Sequence, residues 1–186
     1  IDLAASQSHQ LSLLAEFSTA VQSFNTVKEL TDLTFSYLRK LVGWDKVTLV
    51  LIGKHYSVND ELSMKHVRSV LAFGGYNIRE MNRDLLIPIE DDELVQIIVS
   101  EGRPCVFPDL KNNKPDIWKT KPQTEDVLSW IGLPLIYGVR TIGLITLDHK
   151  TQGHYADVDV EILKRFSDIV AAEIEAKLTL RNLQVV

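Results

Sequence analysis

The chain has 186 residues, a net charge of −5 and a single cysteine, and its length suits one domain. Because charges of both signs are mixed along the sequence, we expect no nucleic-acid partner and no contact with an anionic membrane. One cysteine excludes an intrachain disulfide and favours a reducing, cytoplasmic compartment. No apolar run reaches the roughly 18 residues that span a bilayer.

The first half of the chain predicts two helices followed by two strands. Apolar residues recur at steps of three or four over residues 8–24 and again in a second segment that stops at Gly43, which is helical spacing. Residues 46–52 are short, branched and almost wholly apolar, as in a strand covered on both faces. A second strand is predicted over residues 67–73, before a Gly-Gly turn.

The middle of the chain predicts a short helix over residues 94–99, opened by acidic residues that favour a helix N-terminus. A short strand over residues 104–107 comes next. Residues 111–126 are polar and contain two prolines, so they predict a long loop, and loops of this length are often functional.

The last third predicts a hairpin and a long helix. Two apolar runs, residues 128–137 and 140–147, flank Gly138-Val139, which indicates a two-residue turn. Asp157 is the predicted N-cap of a helix that continues toward residue 183. No βαβ alternation occurs, so the sequence predicts an α+β fold with a mainly antiparallel sheet and helices packed against it.

The hairpin region carries a family resemblance. Residues 129–135, Gly138 and residues 142–148, followed by the helix after Tyr155, resemble the C-terminal signature of GAF domains. Upstream, the segment from Gly102 to Asp109 is similar to the middle strand of that family. The resemblance covers nearly the whole chain and is strongest from residue 129 to residue 178.

This resemblance implies a GAF/PAS-like fold with the N- and C-terminal helices on one face of the sheet and a ligand pocket on the other. It implies one domain over residues 1–186, with flanking signalling helices at 8–24 and 157–183. GAF domains are sensory modules that bind small molecules or chromophores, or only dimerise, and they commonly precede histidine kinase, diguanylate cyclase or transcription-activating domains.

The function expected from the resemblance is regulatory. We expect a small-molecule-binding module that relays a signal through its terminal helices, as a homodimer, to an output domain of histidine kinase or diguanylate cyclase type outside this chain. The alternative is a ligand-free dimerisation scaffold. The resemblance names neither a ligand nor a cofactor, because one fold serves many functions.

The hairpin supplies most of the candidate ligand-binding residues. A two-residue turn at Gly138-Val139 puts Ile131 opposite Thr146 on a largely apolar face with polar groups toward one end, as small-molecule pockets have. The other face contains Gly132 and Gly143, and we expect the terminal helices to approach it closely. Plain core is the alternative for the apolar face. The predicted pocket face carries Ser129, Ile131, Leu133, Thr146 and Asp148.

The predicted long loop adds three candidates. Trp118 lies within it and is expected to form an aromatic lid over the ligand, although a tryptophan that fills a gap against the sheet fits the sequence equally well. Phe107 and Asp109 stand at its entrance. For Asp109 the alternative is a turn aspartate that accepts hydrogen bonds from its own backbone.

No catalytic or metal site is predicted. GAF photoreceptors attach bilins through a cysteine that is typically beside a histidine, whereas Val106 follows Cys105. The free methionine sulfoxide reductases of this fold depend on several cysteines, so Cys105 is expected to be a small buried residue and the chain not to be an enzyme. The histidines show no metal-ligand spacing. Asn113-Lys114 begins like the cyclic-nucleotide-binding pattern of the family, but the rest of that pattern is missing.

Overall fold

The computed structural model describes residues 3–25, 27–52, 68–74, 93–116 and 126–184. None of the helices in these ranges is both long and apolar enough to cross a membrane. The elements in chain order are α1 (Leu3–Ala20), α2 (Val27–Leu41), β1 (Lys46–Ile52), β2 (Arg68–Gly74), α3 (Glu93–Glu101), β3 (Cys105–Phe107), β4 (Ser129–Tyr137), β5 (Arg140–His149) and α4 (Val160–Gln184).

The five strands form one sheet in the order β2-β1-β5-β4-β3. Every neighbouring pair is antiparallel, which confirms the predicted α+β fold. The β4–β5 hairpin lies in the middle of this sheet, so both of its edges pair with other strands. Which side chains lie on each face therefore decides both the core and the candidate site.

The proximal face, which is the side of the sheet covered by α1, α2 and α4, carries the main hydrophobic core. The ring of Phe17 from α1 stacks on Phe166 from α4, with centroids 4.1 Å apart. Tyr37 from α2 packs against Phe17 at 5.3 Å. These rings join the three helices over the apolar side chains that the sheet contributes, which include Leu49, Leu51, Ile131, Leu133, Leu135, Ile145 and Leu147.

The start of α4 differs from the prediction by a few residues. The carboxylate of Asp159 accepts hydrogen bonds from the backbone N–H groups of Glu161 and Ile162, at 3.0 and 3.2 Å. Asp159 is therefore the residue that caps the helix. Asp157, the predicted cap, lies in the turn formed by residues 152–157, before the helix begins at Val160.

The hairpin turn has the predicted two-residue form. The pairing of the two strands beyond the turn differs from the prediction. Tyr137 pairs with Arg140 across Gly138, which has a φ of +62°. A bulge between Leu135 and Ile136 then shifts the pairing by one residue. A bulge puts two residues of one strand against one of the other, so every pair beyond it moves.

The shift corrects the predicted faces. Leu133 lies opposite Ile145 and Ile131 opposite Leu147, and all four side chains point into the proximal core. The predicted pairing of Ile131 with Thr146 is wrong. The expectation that Gly132 faces the terminal helices is also wrong, whereas Gly143 lies on the proximal face, opposite Leu135. A slip of one residue exchanges the faces of one strand relative to the other.

Gly143 is a position where a side chain would clash with the neighbouring strand. A Cβ at this residue would lie 2.4 Å from the backbone carbonyl oxygen of Val50 and 2.9 Å from a methyl group of Leu51. The first neighbour is backbone on the adjacent strand β1, so it cannot move away without disturbing the sheet. The absence of a side chain at this position lets β5 lie flat between β1 and β4.

We expect Gly143→Ala to lower the free energy of unfolding by about 1–3 kcal/mol, the usual effect of overpacking. Urea unfolding followed by circular dichroism measures it. Val139→Ala is the control, because this hairpin residue is fully exposed at 102% and surface changes stay within about 0.5 kcal/mol. Equal stability of both variants would contradict the account.

Candidate ligand site

The distal face, which is the side of the sheet away from α1, α2 and α4, has a tryptophan at its centre. The Trp130 side chain is 2% exposed, and its ring stacks with Phe107 from β3, with centroids 5.6 Å apart. The ring lies over Gly132, where a Cβ would approach it to 2.6 Å and would approach the Ile98 side chain to 2.7 Å. The small residue at position 132 therefore serves Trp130 and α3.

Helix α3 closes the part of the distal face next to Trp130. Val95 and Ile98 from this helix are 4% and 0% exposed and pack on the sheet. Cys105 and Phe107 on β3 border the same cluster. This half of the face is filled by its own side chains, and the buried members of the cluster are Val50, Val95, Ile98, Leu110, Val127, Trp130 and Leu144.

A polar strip continues the distal face onto β1 and β5. It consists of Lys46, Thr48, Thr146 and Asp148, all of them half-buried. Thr48 lies opposite Thr146, and Lys46 opposite Asp148. Two hydroxyls, an ammonium and a carboxylate thus stand side by side next to an aromatic surface. This combination of an apolar wall with a few convergent polar groups is typical of small-molecule sites.

The space next to the strip at its Asp148 end is small. Asp45, Asp126 and Val127 close a recess there with a volume of about 10 Å³, which is roughly the room one water molecule needs. A metabolite larger than a water molecule would therefore need these side chains to move apart. Thr48 and Thr146 would present the hydroxyls nearest to the Trp130 wall.

The structure divides the predicted site residues between the two faces. Thr146 and Asp148 lie on the distal face together with Phe107, on the same rows of the sheet as Gly132 and Trp130. Their binding of a ligand remains a prediction. Three of the predicted site residues lie instead in the proximal core, because of the shifted register: Ser129, Ile131 and Leu133.

Ser129 has a structural partner. Its side chain is 0% exposed, and its hydroxyl oxygen accepts a hydrogen bond from the backbone N–H of Tyr155 at 3.1 Å. Tyr155 is itself fully buried in the segment that leads into α4. The Ser129 hydroxyl, which is predicted from the sequence to line a pocket, therefore links β4 to the segment that leads into α4.

Asp109 forms the turn that the alternative interpretation describes. One carboxylate oxygen accepts from the backbone N–H of Asn112 and the other from the Asn112 side-chain amide, both at 3.0 Å. The hydrogen bond from the Asn112 backbone lowers the pKa of Asp109, since it stabilises the charged form. Trp118, the third loop candidate, lies outside the described residues.

The residues that sequence reasoning missed are Trp130, Thr48 and Lys46. A signal for the first was present, because a large aromatic residue two positions before a glycine on a strand needs a small neighbour on its own face. The register that brings Thr48 and Lys46 beside Thr146 and Asp148 involves a pairing of β1 with β5, about a hundred residues apart in sequence, and no local pattern encodes it.

The sequence model of the GAF domain family matches residues 25–175, which includes both faces of the sheet and α3. The chain belongs to the GAF domain family. No curated protein sequence matches this GAF domain.

Solved structures resemble this GAF domain over most of its length. The GAF domain of an Acinetobacter phosphoenolpyruvate-protein phosphotransferase has 14% identity and a TM-score of 0.70, covering 94% of this chain and 98% of that one. The free methionine-R-sulfoxide reductase of Neisseria meningitidis has 20% identity and a TM-score of 0.66, covering 92% and 91%. The chromophore-binding domain of a Stigmatella aurantiaca bacteriophytochrome has 12% identity and a TM-score of 0.63, covering 90% and 60%.

At these identities the similarity shows the fold alone. The three proteins differ: a GAF domain of a phosphotransferase, a reductase and a chromophore-binding domain. The family includes sensory domains of signalling proteins, and what this member binds has to come from its own residues.

We expect Ser129→Ala to destabilise the GAF domain by about 1–3 kcal/mol, because it leaves the buried N–H of Tyr155 without its acceptor. The measurement is urea unfolding, with the exposed Ser36→Ala on α2 as the control. If Ser129→Ala instead had the same free energy of unfolding as the native chain, the hydroxyl would have no structural role. Its assignment as the acceptor that links β4 to Tyr155 would then be wrong.

Proposed function

We propose that this GAF domain is a regulatory module that binds a small molecule at the polar strip of its distal face. The observation that supports this most directly is the half-buried group of Thr48, Thr146, Lys46 and Asp148 beside the Trp130 wall. A sheet face that was only core would be apolar throughout, as the α3 half is.

A route from the strip to the terminal helices supports a signalling role. The backbone carbonyl of Asp148 accepts from the N–H of Asp45 at 2.8 Å, which ties the strip to the segment after α2. Asp148 also lies at the end of β5, directly before the connection to α4. We propose that ligand binding biases the conformation of α4. Through α4 and α1, this bias would reach an output domain of histidine kinase or diguanylate cyclase type elsewhere in the parent protein. The bias is limited by the difference in affinity between two states.

A non-catalytic role is part of the proposal, although similar folds include an enzyme. The only thiol, Cys105, is half-buried with its sulfur 3.6 Å from the carbonyl oxygen of Arg103. Burial, and then the charge of Glu101, raise the pKa of Cys105. A thiol with a raised pKa is a poor nucleophile, because the thiolate is the reactive form.

A ligand-free dimerisation scaffold is the competing function. The packing of the α3 half of the distal face favours this function, because the buried members of that cluster are at most 7% exposed. In this case the polar strip would be an ordinary half-buried part of the sheet. The two functions differ in whether a small molecule stabilises the fold, since a ligand that binds only the folded state raises its stability.

Native mass spectrometry of gently purified protein tests the ligand. We expect an added small mass that disappears on denaturation, and we expect Thr146→Val to reduce its occupancy. A hydrogen bond of about 1–1.5 kcal/mol corresponds to roughly five- to tenfold in affinity. Thr141→Val is the matched control, because it makes the same change on β5 near the hairpin tip. A clean chain mass, with no metabolite that raises the melting temperature, would favour the scaffold.

We further propose that the domain forms a homodimer through α1 and α4. Leu3 and Leu11 on α1 are 84% and 43% exposed, and α4 has 25 residues, which corresponds to about 37 Å. We expect Leu11→Glu to shift sedimentation from dimer to monomer. Ile97→Glu on α3, 37% exposed on the other side of the sheet, is the control that should stay dimeric. A monomeric native chain at high concentration contradicts the proposal.

A further inference from the structure

Two histidines stack face to face where the chain passes from β5 to α4. The rings of His149 and His154 have centroids 3.5 Å apart and planes inclined by 2°. His149 is the last residue of β5, and His154 lies in the connection that follows. Tyr155 meets both rings edge-on, at 5.9 and 4.9 Å. The three rings fill the corner below the first turn of α4.

The hydrogen bonds of this pair define where its protons are. The Nε2 atom of His154 lies 2.7 Å from the backbone carbonyl oxygen of Val42, and a carbonyl only accepts, so Nε2 carries a proton. The Nδ1 atom of His149 accepts from the backbone N–H of Thr151 at 3.1 Å, so Nδ1 carries none. His149 is neutral in this arrangement.

The same corner fastens the α4 connection to the end of α2. His154 reaches Val42, and the Tyr155 hydroxyl donates to the carbonyl of Gly43 at 2.8 Å. Gly43 has a φ of +74°, and a Cβ there would lie 3.2 Å from Nε2 of His154. The two segments are therefore in close contact through the side chains of His154 and Tyr155.

The charges around the pair come from each neighbouring element. The Asp45 carboxylate, from the α2–β1 connection, is 3.8 Å from Nδ1 of His149 and accepts from the backbone N–H of Lys150 at 2.7 Å. Lys46 and Asp148 line the same recess as His149. Asp45 attracts a proton on His149, whereas burial and the neighbouring His154 oppose it.

We propose that the His149–His154 stack is an acid-sensitive latch, whose protonation separates the rings and releases the α4 connection from the end of α2. A proton on Nδ1 of His149 turns the acceptor of the Thr151 N–H into a second donor, and the hydrogen bond is lost. A charge on His149 also lies at van der Waals distance from the His154 ring, and the charge of His154 opposes it. Acidity would thus reach α4 by a route that does not depend on a ligand at the polar strip.

The direction of the pH effect follows from the two states of His149. Burial, and then the charge of His154, lower the pKa of His149 in the folded protein below its usual 6.5, with Asp45 opposing them. The unfolded chain therefore binds its proton first as the pH falls. The contribution of neutral His149 to the free energy of unfolding is fully present above about pH 6.5. It is lost as the pH falls from there through the lower pKa of His149 in the folded state.

Two variants distinguish release of the latch from ordinary acid unfolding. Each keeps a hydrogen bond of the pair but replaces the imidazole with a side chain that cannot take up a proton. His149→Asn keeps an acceptor near Nδ1, and His154→Gln keeps a donor near Nε2. His9→Gln, at an exposed position on α1, is the control that removes a histidine outside the corner.

The experiment is an NMR titration of the whole chain from pH 8 to pH 5, with amide exchange of Tyr155 corrected for its intrinsic rate. We expect His149 to titrate below 6.5 and the amides of Thr151 and Tyr155 to shift with it. The Tyr155 amide should lose protection by up to about tenfold for each unit by which the pKa is lowered.

The variants decide the cause. We expect His149→Asn to abolish most of this response, His154→Gln to reduce it, and His9→Gln to leave it unchanged. A His149 that titrates at 6.5 or above would overturn the latch. So would Thr151 and Tyr155 amides that do not respond, or a full response in His149→Asn. The result is independent of whether a ligand binds at Thr146.

Discussion

The close approach of β5 to β1 at Gly143 is the constraint on which the arrangement of this GAF domain depends. With no Cβ at this residue, the backbone of β5 can lie against the Val50 carbonyl. The bulge, in which Ile142 of β5 is the extra residue, brings Gly143 opposite Leu135. Together they set a register that sends Ile131, Leu133, Ile145 and Leu147 to the helices. The same register sends Trp130, Thr146 and Asp148 to the opposite face.

The two faces consequently have different roles. The proximal face is a continuous apolar core joined by the stacked rings of Phe17 and Phe166, which holds α1 and α4 together on the sheet. The distal face combines a packed half under α3 with a half-buried polar strip on β1 and β5. Hydrogen bonds at the end of β5 connect the strip to α2 and to the segment before α4, so both chemical features lie close to the helices that would transmit a signal.

The element order and the fold class could be predicted from local patterns. Helical spacing of apolar residues, the branched run of β1 and the Gly138-Val139 turn are encoded within short windows, and the hairpin segments resemble the GAF signature. The site was predicted in part. Thr146 and Asp148 share the distal face with Phe107, whereas Ser129, Ile131 and Leu133 lie in the proximal core, because a period of two converts a one-residue shift into a change of face.

The sequence by itself determined the composition of each element, the two-residue turn of the hairpin and the family to which the chain belongs. Only the tertiary structure decided the bulge, since it depends on how β5 pairs with β4 and with β1 at the same time. It also decided that His149 and His154 stack beside Val42. Contacts between residues about a hundred positions apart depend on how the sheet packs, and no local sequence pattern records that packing.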